Sequence, residues 1–207
     1  MKKILILFII FTGFIALIIS PFCQRAFWSI LVLSELMNFE SEGWIDRWSY
    51  PPATSTVTFQ GPAGVIKADL YLPAGDKLRP GILLNHGVVD TGKDDPRLKR
   101  FAQILCQAGF VVFVPEFQSM RSFHISSADI DEIQGAYEFF LARNEKRLNS
   151  SYGLFGFSYG AGPTLIAASR PSVCEKVRFL VSFGGYYDLK NVLSYIATGH
   201  FDFGGKK

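Results

Sequence analysis

Two segments that alternate apolar and polar residues predict a β-hairpin. Residues 54–60 and 65–72 show this alternation, and Gly61-Pro62-Ala63-Gly64 joins them. In the second segment, apolar side chains on one face oppose Lys67 and Asp69 on the other. We therefore expect an antiparallel pair with one apolar face and one face that is at least partly wet.

The pattern changes after Pro80 to short, uninterrupted apolar runs. Such runs are typical of parallel strands covered on both faces, and they occupy residues 81–84, 110–114, 152–155 and 179–183. Helical patterns lie between them: one begins near Asp95-Pro96 and stops at Gly109, a second begins near Ser126 or Ser127, and a third runs from Ser158 to Ala168. A hairpin followed by strand-helix units predicts an α/β fold whose mostly parallel sheet has one mixed edge.

The N-terminus carries a separate signal. Lys2 and Lys3 precede an apolar run at residues 4–19, and the next charge is Arg25. This predicts a transmembrane anchor or a cleaved signal segment, and Ser20-Pro21-Phe22 favours the anchor. The lysines then stay in the cytoplasm and the rest of the chain lies beyond the membrane. Residues 26–37 predict a short helix on the membrane surface or packed on the domain.

The composition argues against several classes of function. The net charge of +3, from 21 basic and 18 acidic residues, does not favour nucleic-acid binding. The three cysteines, Cys23, Cys106 and Cys174, show no CxxC spacing, which favours neither a disulfide framework nor a zinc site. No constellation in the sequence requires a metal or organic cofactor.

Gly156-Phe157-Ser158-Tyr159-Gly160 carries the clearest chemistry. It stands after an apolar strand and before an Ala-rich helix, which is the context of a nucleophile elbow. There the serine adopts a strained backbone, and the flanking glycines allow strand and helix to approach. The alternative interpretation is a tight strand-helix turn with an ordinary serine. No Lys-Ser/Thr follows the glycines, so the motif does not indicate a phosphate loop.

Asn85-His86-Gly87-Val88 follows the strand that starts at Gly81. With this loop, the chain resembles the α/β-hydrolase superfamily, and its order of elements is similar to the dienelactone-hydrolase-like and peptidase-like branches. The resemblance implies that Ser158 is the nucleophile, that the N–H groups of Val88 and Tyr159 form the oxyanion hole, and that His86 supports the loop. Dienelactone hydrolases use cysteine as nucleophile, so Ser158 implies a broader esterase-like activity on an ester or other acyl bond.

The acid and the base of the triad follow the serine in this superfamily. Only 49 residues follow Ser158, so we expect the sequence to stop short of the strands that usually carry them. Asp188 is a candidate acid or a helix cap. His200, the last histidine, is a candidate base in a tail that we expect to be irregular. His124 precedes the elbow and is interpreted as a loop or surface residue.

Two functional hypotheses follow. The first is a membrane-anchored serine hydrolase that acts on a small-molecule ester or acyl substrate. The second is a non-catalytic remnant or binding module that keeps the ligand crevice. We expect an anchor or signal at residues 1–25, a linker with a helix at 26–53 and a hydrolase domain at 54–207. An unpaired last strand at residues 179–183 would favour a homo-oligomer or a partner at that edge.

Overall fold

The computed structural model describes residues 20–37 and 43–200. The chain divides into two compact units, Met1–Tyr50 and Pro51–Lys207. Across the described ranges, the helices are too short or too polar to cross a membrane. The apolar run at residues 4–19, on which the predicted anchor rests, lies outside the described residues.

The described part of the first unit, residues 20–37 and 43–50, contains two helices, α1 (Pro21–Met37) and α2 (Trp44–Trp48). The predicted short helix at residues 26–37 is therefore part of a longer one. Glu35 of α1 is buried, and its Oε1 accepts a hydrogen bond from the backbone N–H of Ile45 at 2.9 Å. This bond joins the two helices, because the first N–H groups of a helix have no partner within the helix itself.

A six-stranded sheet forms the centre of the second unit. The strands are β1 (Ala53–Gln60), β2 (Val65–Leu72), β3 (Arg79–Asn85), β4 (Val111–Pro115), β5 (Leu148–Phe157) and β6 (Phe179–Phe183), in the order β1-β2-β4-β3-β5-β6. The pairs β1/β2 and β2/β4 are antiparallel, and the others are parallel. The predicted hairpin, the four apolar strands and the mixed edge are confirmed.

Within residues 51–200, six α-helices accompany the sheet: α3 (Pro96–Gln107), α4 (Gln118–Arg121), α5 (Ala128–Asn144), α6 (Ala161–Ser169), α7 (Pro171–Cys174) and α8 (Leu189–Thr198). The predicted start of α3 is confirmed, because the Asp95 side chain accepts from the Arg97 N–H at 2.8 Å. Gly109, at φ +105°, follows its end. The short helices α4 and α7 were not expected from the sequence, and α8 was anticipated only through the helix-cap role considered for Asp188.

Apolar clusters cover both faces of the sheet. On one face, Leu83 and Phe113 pack with Tyr137 and Phe140 of α5. On the other face, strand residues pack against α3, whose Ala102 and Cys106 are fully buried. The central strands are therefore apolar on both sides, as the uninterrupted runs predict.

The second face of β2 is partly wet, as expected, because Val65 and Lys67 are exposed, but its other two residues are buried. Asp69 is only 5% exposed and Tyr71 only 3% exposed. Tyr71 belongs to the cluster around α3, and the Asp69 carboxylate is paired with Lys93, 24 residues further along the chain. A buried charge with a distant partner cannot be recognised from local alternation.

β6 is the outermost strand next to β5. Val181 is 37% exposed and Phe183 is 64% exposed. An apolar strand edge of this kind favours association. A second copy or a partner that covers it remains a prediction.

Candidate active site

Ser158 lies at the turn between β5 and α6. It begins a single 3-10 turn, Ser158–Gly160, and its side chain is exposed. Its φ is +49°, a left-handed conformation that costs a non-glycine residue about 1 to 3 kcal/mol. The strained serine expected from the motif is therefore present, and the residue is exposed to solvent.

The two glycines of the motif allow this turn. A Cβ on Gly156 would lie 2.6 Å from the Ala161 Cα and 2.9 Å from the Gly160 carbonyl oxygen. A Cβ on Gly160 would overlap the His86 carbonyl oxygen. Neither position accepts a side chain unless the backbone moves, because these neighbours are main-chain atoms.

The loop after β3 runs beside the nucleophile. A Cβ on Gly87 would lie 3.0 Å from the Ser158 Cβ and 3.6 Å from its Oγ. Asn85 fixes this approach, since its Nδ2 donates to the Gly160 carbonyl at 3.0 Å and to the Thr164 Oγ1 at 2.8 Å. The segment that carries Val88 thus reaches the turn that carries Ser158 and Tyr159. Neither the position of Gly87 against Ser158 nor the link that Asn85 makes between this loop and the nucleophile turn was predicted from the sequence.

His86 supports this loop through both ring nitrogens. Its Nδ1 lies 2.8 Å from the Gly87 carbonyl oxygen, and its Nε2 accepts from the Phe117 N–H at 3.2 Å. A carbonyl can only accept and a backbone amide can only donate, so the ring is neutral with its proton on Nδ1. Burial lowers the pKa of His86, in agreement with a neutral ring. Both ring nitrogens of His86 are therefore occupied by main-chain contacts.

Lys93 holds the next part of the loop. Its Nζ lies 2.9 Å from Asp69 Oδ2 and 3.2 Å from Asp94 Oδ1, and its backbone N–H donates to Glu116 Oε2 at 3.2 Å. Burial opposes the charge of Lys93, but the two aspartates outweigh it and raise the pKa of the lysine. The ammonium group of Lys93 therefore joins the carboxylates of Asp69 and Asp94. Among residues 20–37 and 43–200, no cluster of three or more His, Cys, Asp or Glu side chains is suited to a metal ion.

The candidate acid and base have other partners. Asp188 caps α8, since its carboxylate accepts from the backbone N–H of Asn191 at 3.2 Å and from its Nδ2 at 3.0 Å. His200 is exposed, and its Nδ1 lies 2.7 Å from the Thr198 carbonyl oxygen. The prediction of an irregular tail is wrong for residues 189–198. These residues form α8, which lies between the Asp188 cap and Gly199 at φ +70°. His124 is exposed on a loop, as expected.

The described contacts bring together only part of the predicted constellation. They place Ser158 and Tyr159 next to the loop of Val88. Within residues 20–37 and 43–200, no hydrogen bond joins the Ser158 hydroxyl to Asp188 or His200.

Solved structures show which fold this arrangement belongs to. Brefeldin A esterase, described as a bacterial homologue of human hormone-sensitive lipase, has 19% identity and a TM-score of 0.59 over 83% of this chain and 53% of its own. A dienelactone hydrolase from Anabaena variabilis has 25% identity and a TM-score of 0.57 over 69% and 68% of the two chains. The chain has the α/β-hydrolase fold. An esterase from the archaeon Pyrobaculum calidifontis agrees, with 14% identity, a TM-score of 0.54 and coverage of 86% and 58%.

The resemblance predicted from the sequence is thereby confirmed at the level of the fold. This α/β-hydrolase-fold chain spans about half the length of the two esterases. No family model and no curated protein matches its sequence.

Proposed function

We propose that this chain is a serine hydrolase that attacks an ester or other acyl carbon through Ser158. The observation that carries the proposal is the exposed, strained serine at φ +49°, against which the loop of Gly87 packs. In this mechanism the Ser158 hydroxyl gives its proton to a base as its Oγ bonds to the acyl carbon; the C=O π bond opens to an oxyanion, and when it re-forms the protonated alcohol or amine departs. The oxyanion that forms then accepts from the N–H groups of Val88 and Tyr159.

This mechanism also requires a general base. A serine hydroxyl is a weak nucleophile unless a base takes its proton, and without one the oxyanion donors and binding leave about 10³ to 10⁴ over water. His200 is the candidate within this chain, and Asp188 is the candidate acid. To act, the His200 ring would exchange its bond to the Thr198 carbonyl for one to Ser158.

A second candidate function is a binding module without turnover. It is favoured by the engagement of both candidate groups elsewhere, Asp188 as a helix cap and His200 on a backbone carbonyl. Such a module would keep the crevice at the carboxyl ends of the parallel strands, where ligands bind in open α/β sheets. The two candidates differ in whether Ser158 reacts covalently.

Labelling of the full chain with a fluorophosphonate probe separates the two functions. We expect labelling of the wild type that is lost in Ser158→Ala and kept in Ser55→Ala, where an exposed serine on β1 is removed. Lack of labelling in a folded wild-type chain would contradict the hydrolase and leave the binding module. A lower labelling rate in His200→Ala would identify the base, and an unchanged rate would assign that role to another group.

We propose, from the sequence alone, that the apolar run at residues 4–19 anchors the chain in a membrane with the domain beyond it. The support is the length of the run and the preceding Lys2 and Lys3. Extraction of membranes at alkaline pH should leave the chain in the pellet. Release of the full-length chain into the supernatant would contradict an anchor, and a shortened N-terminus by mass spectrometry would indicate a cleaved signal.

A further inference from the structure

A buried carboxylate lies beneath the proposed oxyanion site. Asp129, in the first turn of α5, is fully buried. Its Oδ2 accepts from the Tyr159 hydroxyl at 2.7 Å and from the Ser126 N–H at 3.2 Å, and its Oδ1 accepts from the Ser119 hydroxyl at 2.5 Å. The side chain of Asp129 is thus held by three donors from three segments, namely α4, the loop before α5 and the nucleophile turn.

Tyr159 is the residue that follows the nucleophile, and it is held at both ends. Its side chain is bonded to Asp129, and its carbonyl oxygen accepts from the Tyr186 hydroxyl at 3.2 Å. The two tyrosine rings stack with an interplanar angle of 17°. A Cβ on Gly162 would overlap the Tyr186 hydroxyl, so the glycine makes room for this contact.

We infer that Asp129 is a positioning residue that fixes the main chain of Tyr159, and with it the N–H that serves as an oxyanion donor. The inference rests on the proposed function of Ser158. Oxyanion donors act at 2.7 to 3.1 Å from the developing charge, so small displacements have large effects. A misplacement of about 1 Å can lower a rate by about 10²-fold.

A purely structural role is the competing explanation, because Asp129 also accepts a bond from the loop before its own helix. Two single-atom deletions on the same fold distinguish the roles. Tyr159→Phe removes the hydroxyl that binds Asp129, whereas Tyr137→Phe removes a buried hydroxyl of α5 that donates to the Lys176 carbonyl at 3.3 Å. Both variants lose one buried tyrosine hydroxyl, and only the first touches the nucleophile turn.

The experiment measures fluorophosphonate acylation of the full chain, with the maximal acylation rate separated from the concentration for half-maximal rate. We expect Tyr159→Phe to lower the maximal rate about 10- to 100-fold, within the range for displaced oxyanion donors. The half-saturating concentration should stay within about twofold, because the donor acts chiefly on the transition state. Tyr137→Phe should keep the wild-type rate.

A double-mutant cycle tests Asp129 itself. Asp129→Ala should lower the maximal rate as Tyr159→Phe does, and the double variant should be no slower than the slower single variant, since both changes remove the hydrogen bond between Tyr159 and Asp129. Unchanged acylation in both single variants, or equal losses in Tyr159→Phe and Tyr137→Phe, would overturn the inference alone. Failure of the wild type to label at Ser158 would overturn the proposed function and this inference with it.

Discussion

Replacement of Lys93 by Met tests whether the loop after β3 is held by a buried ion pair. The side chains of Lys93 and Asp69 are 11% and 8% exposed, and their charged atoms lie 2.9 Å apart. Methionine keeps the apolar stem but removes the charge. The Asp69 carboxylate then stays buried and keeps its hydrogen bond from the Thr56 hydroxyl at 2.8 Å. Loss of one partner from a buried pair typically costs about 3 to 5 kcal/mol.

The upper limit of this cost follows from protonation. A carboxyl can always take up a proton, at about 1.36 kcal/mol for each pH unit above the ordinary aspartate value of about 3.9. The part of the penalty in Lys93→Met that comes from a buried, unpaired charge is therefore limited to about 4.2 kcal/mol at pH 7 and about 1.5 kcal/mol at pH 5. Its deficit in stability should shrink as the pH falls, because the folded variant takes up a proton that the unfolded chain does not.

Urea unfolding at pH 7 and pH 5, followed by far-ultraviolet circular dichroism, measures the effect. Circular dichroism is used because Trp28, Trp44 and Trp48 all precede Tyr50, so the sheet itself contains no tryptophan. The matched control is Lys99→Met, which removes an exposed ion pair to Asp94 and should cost less than about 1 kcal/mol at either pH. Equal losses in the two variants, or a deficit in Lys93→Met that does not change with pH, would refute the reasoning.

Two further predictions concern the nucleophile turn. Ser158→Gly should be about 1 kcal/mol more stable to urea than Ser158→Ala, because only glycine adopts φ +49° without strain, and equal stabilities would contradict a strained turn. Asn85→Ala should lower the free energy of unfolding by about 1 to 3 kcal/mol, since it removes two buried hydrogen bonds, to the Gly160 carbonyl and to Thr164 of α6. Asn149→Ala, which removes a partly buried local bond to the Ser151 N–H, is its control and should cost less than about 1 kcal/mol; a similar loss in both would refute the tether.

Elements with a strong local pattern could be predicted from the sequence. All six strands were recognised because apolar runs and turn residues delimit them. For α8, only the cap was considered: Asp188 was a candidate helix cap, but the extent of the helix up to Gly199, which adopts φ +70° at its end, was not recognised. The burial of Asp69 could not be predicted, because its partner Lys93 is reached only once β2 and the loop after β3 are adjacent.

In the candidate site, too, features with a local pattern could be predicted and contacts between distant residues could not. Ser158 lies in a five-residue motif whose geometry is local, so the sequence is sufficient to find it. Asp129 is 30 residues from Tyr159 in sequence, and no local motif marks the bond between them. His200 was considered because it is the last histidine, but order along the chain does not determine where a ring lies. The structure places that ring on the Thr198 carbonyl.

The strained turn is maintained by tertiary contacts rather than by its own sequence. A left-handed serine persists only where its surroundings over-determine it. Here Asn85 holds the Gly160 carbonyl, Tyr186 holds the Tyr159 carbonyl, and Asp129 holds the Tyr159 hydroxyl. Neither Asp188 nor His200 takes part in these bonds. The nucleophile turn is therefore organised independently of the candidate acid and base, so loss of those two groups should slow the reaction of Ser158 without relaxing its backbone.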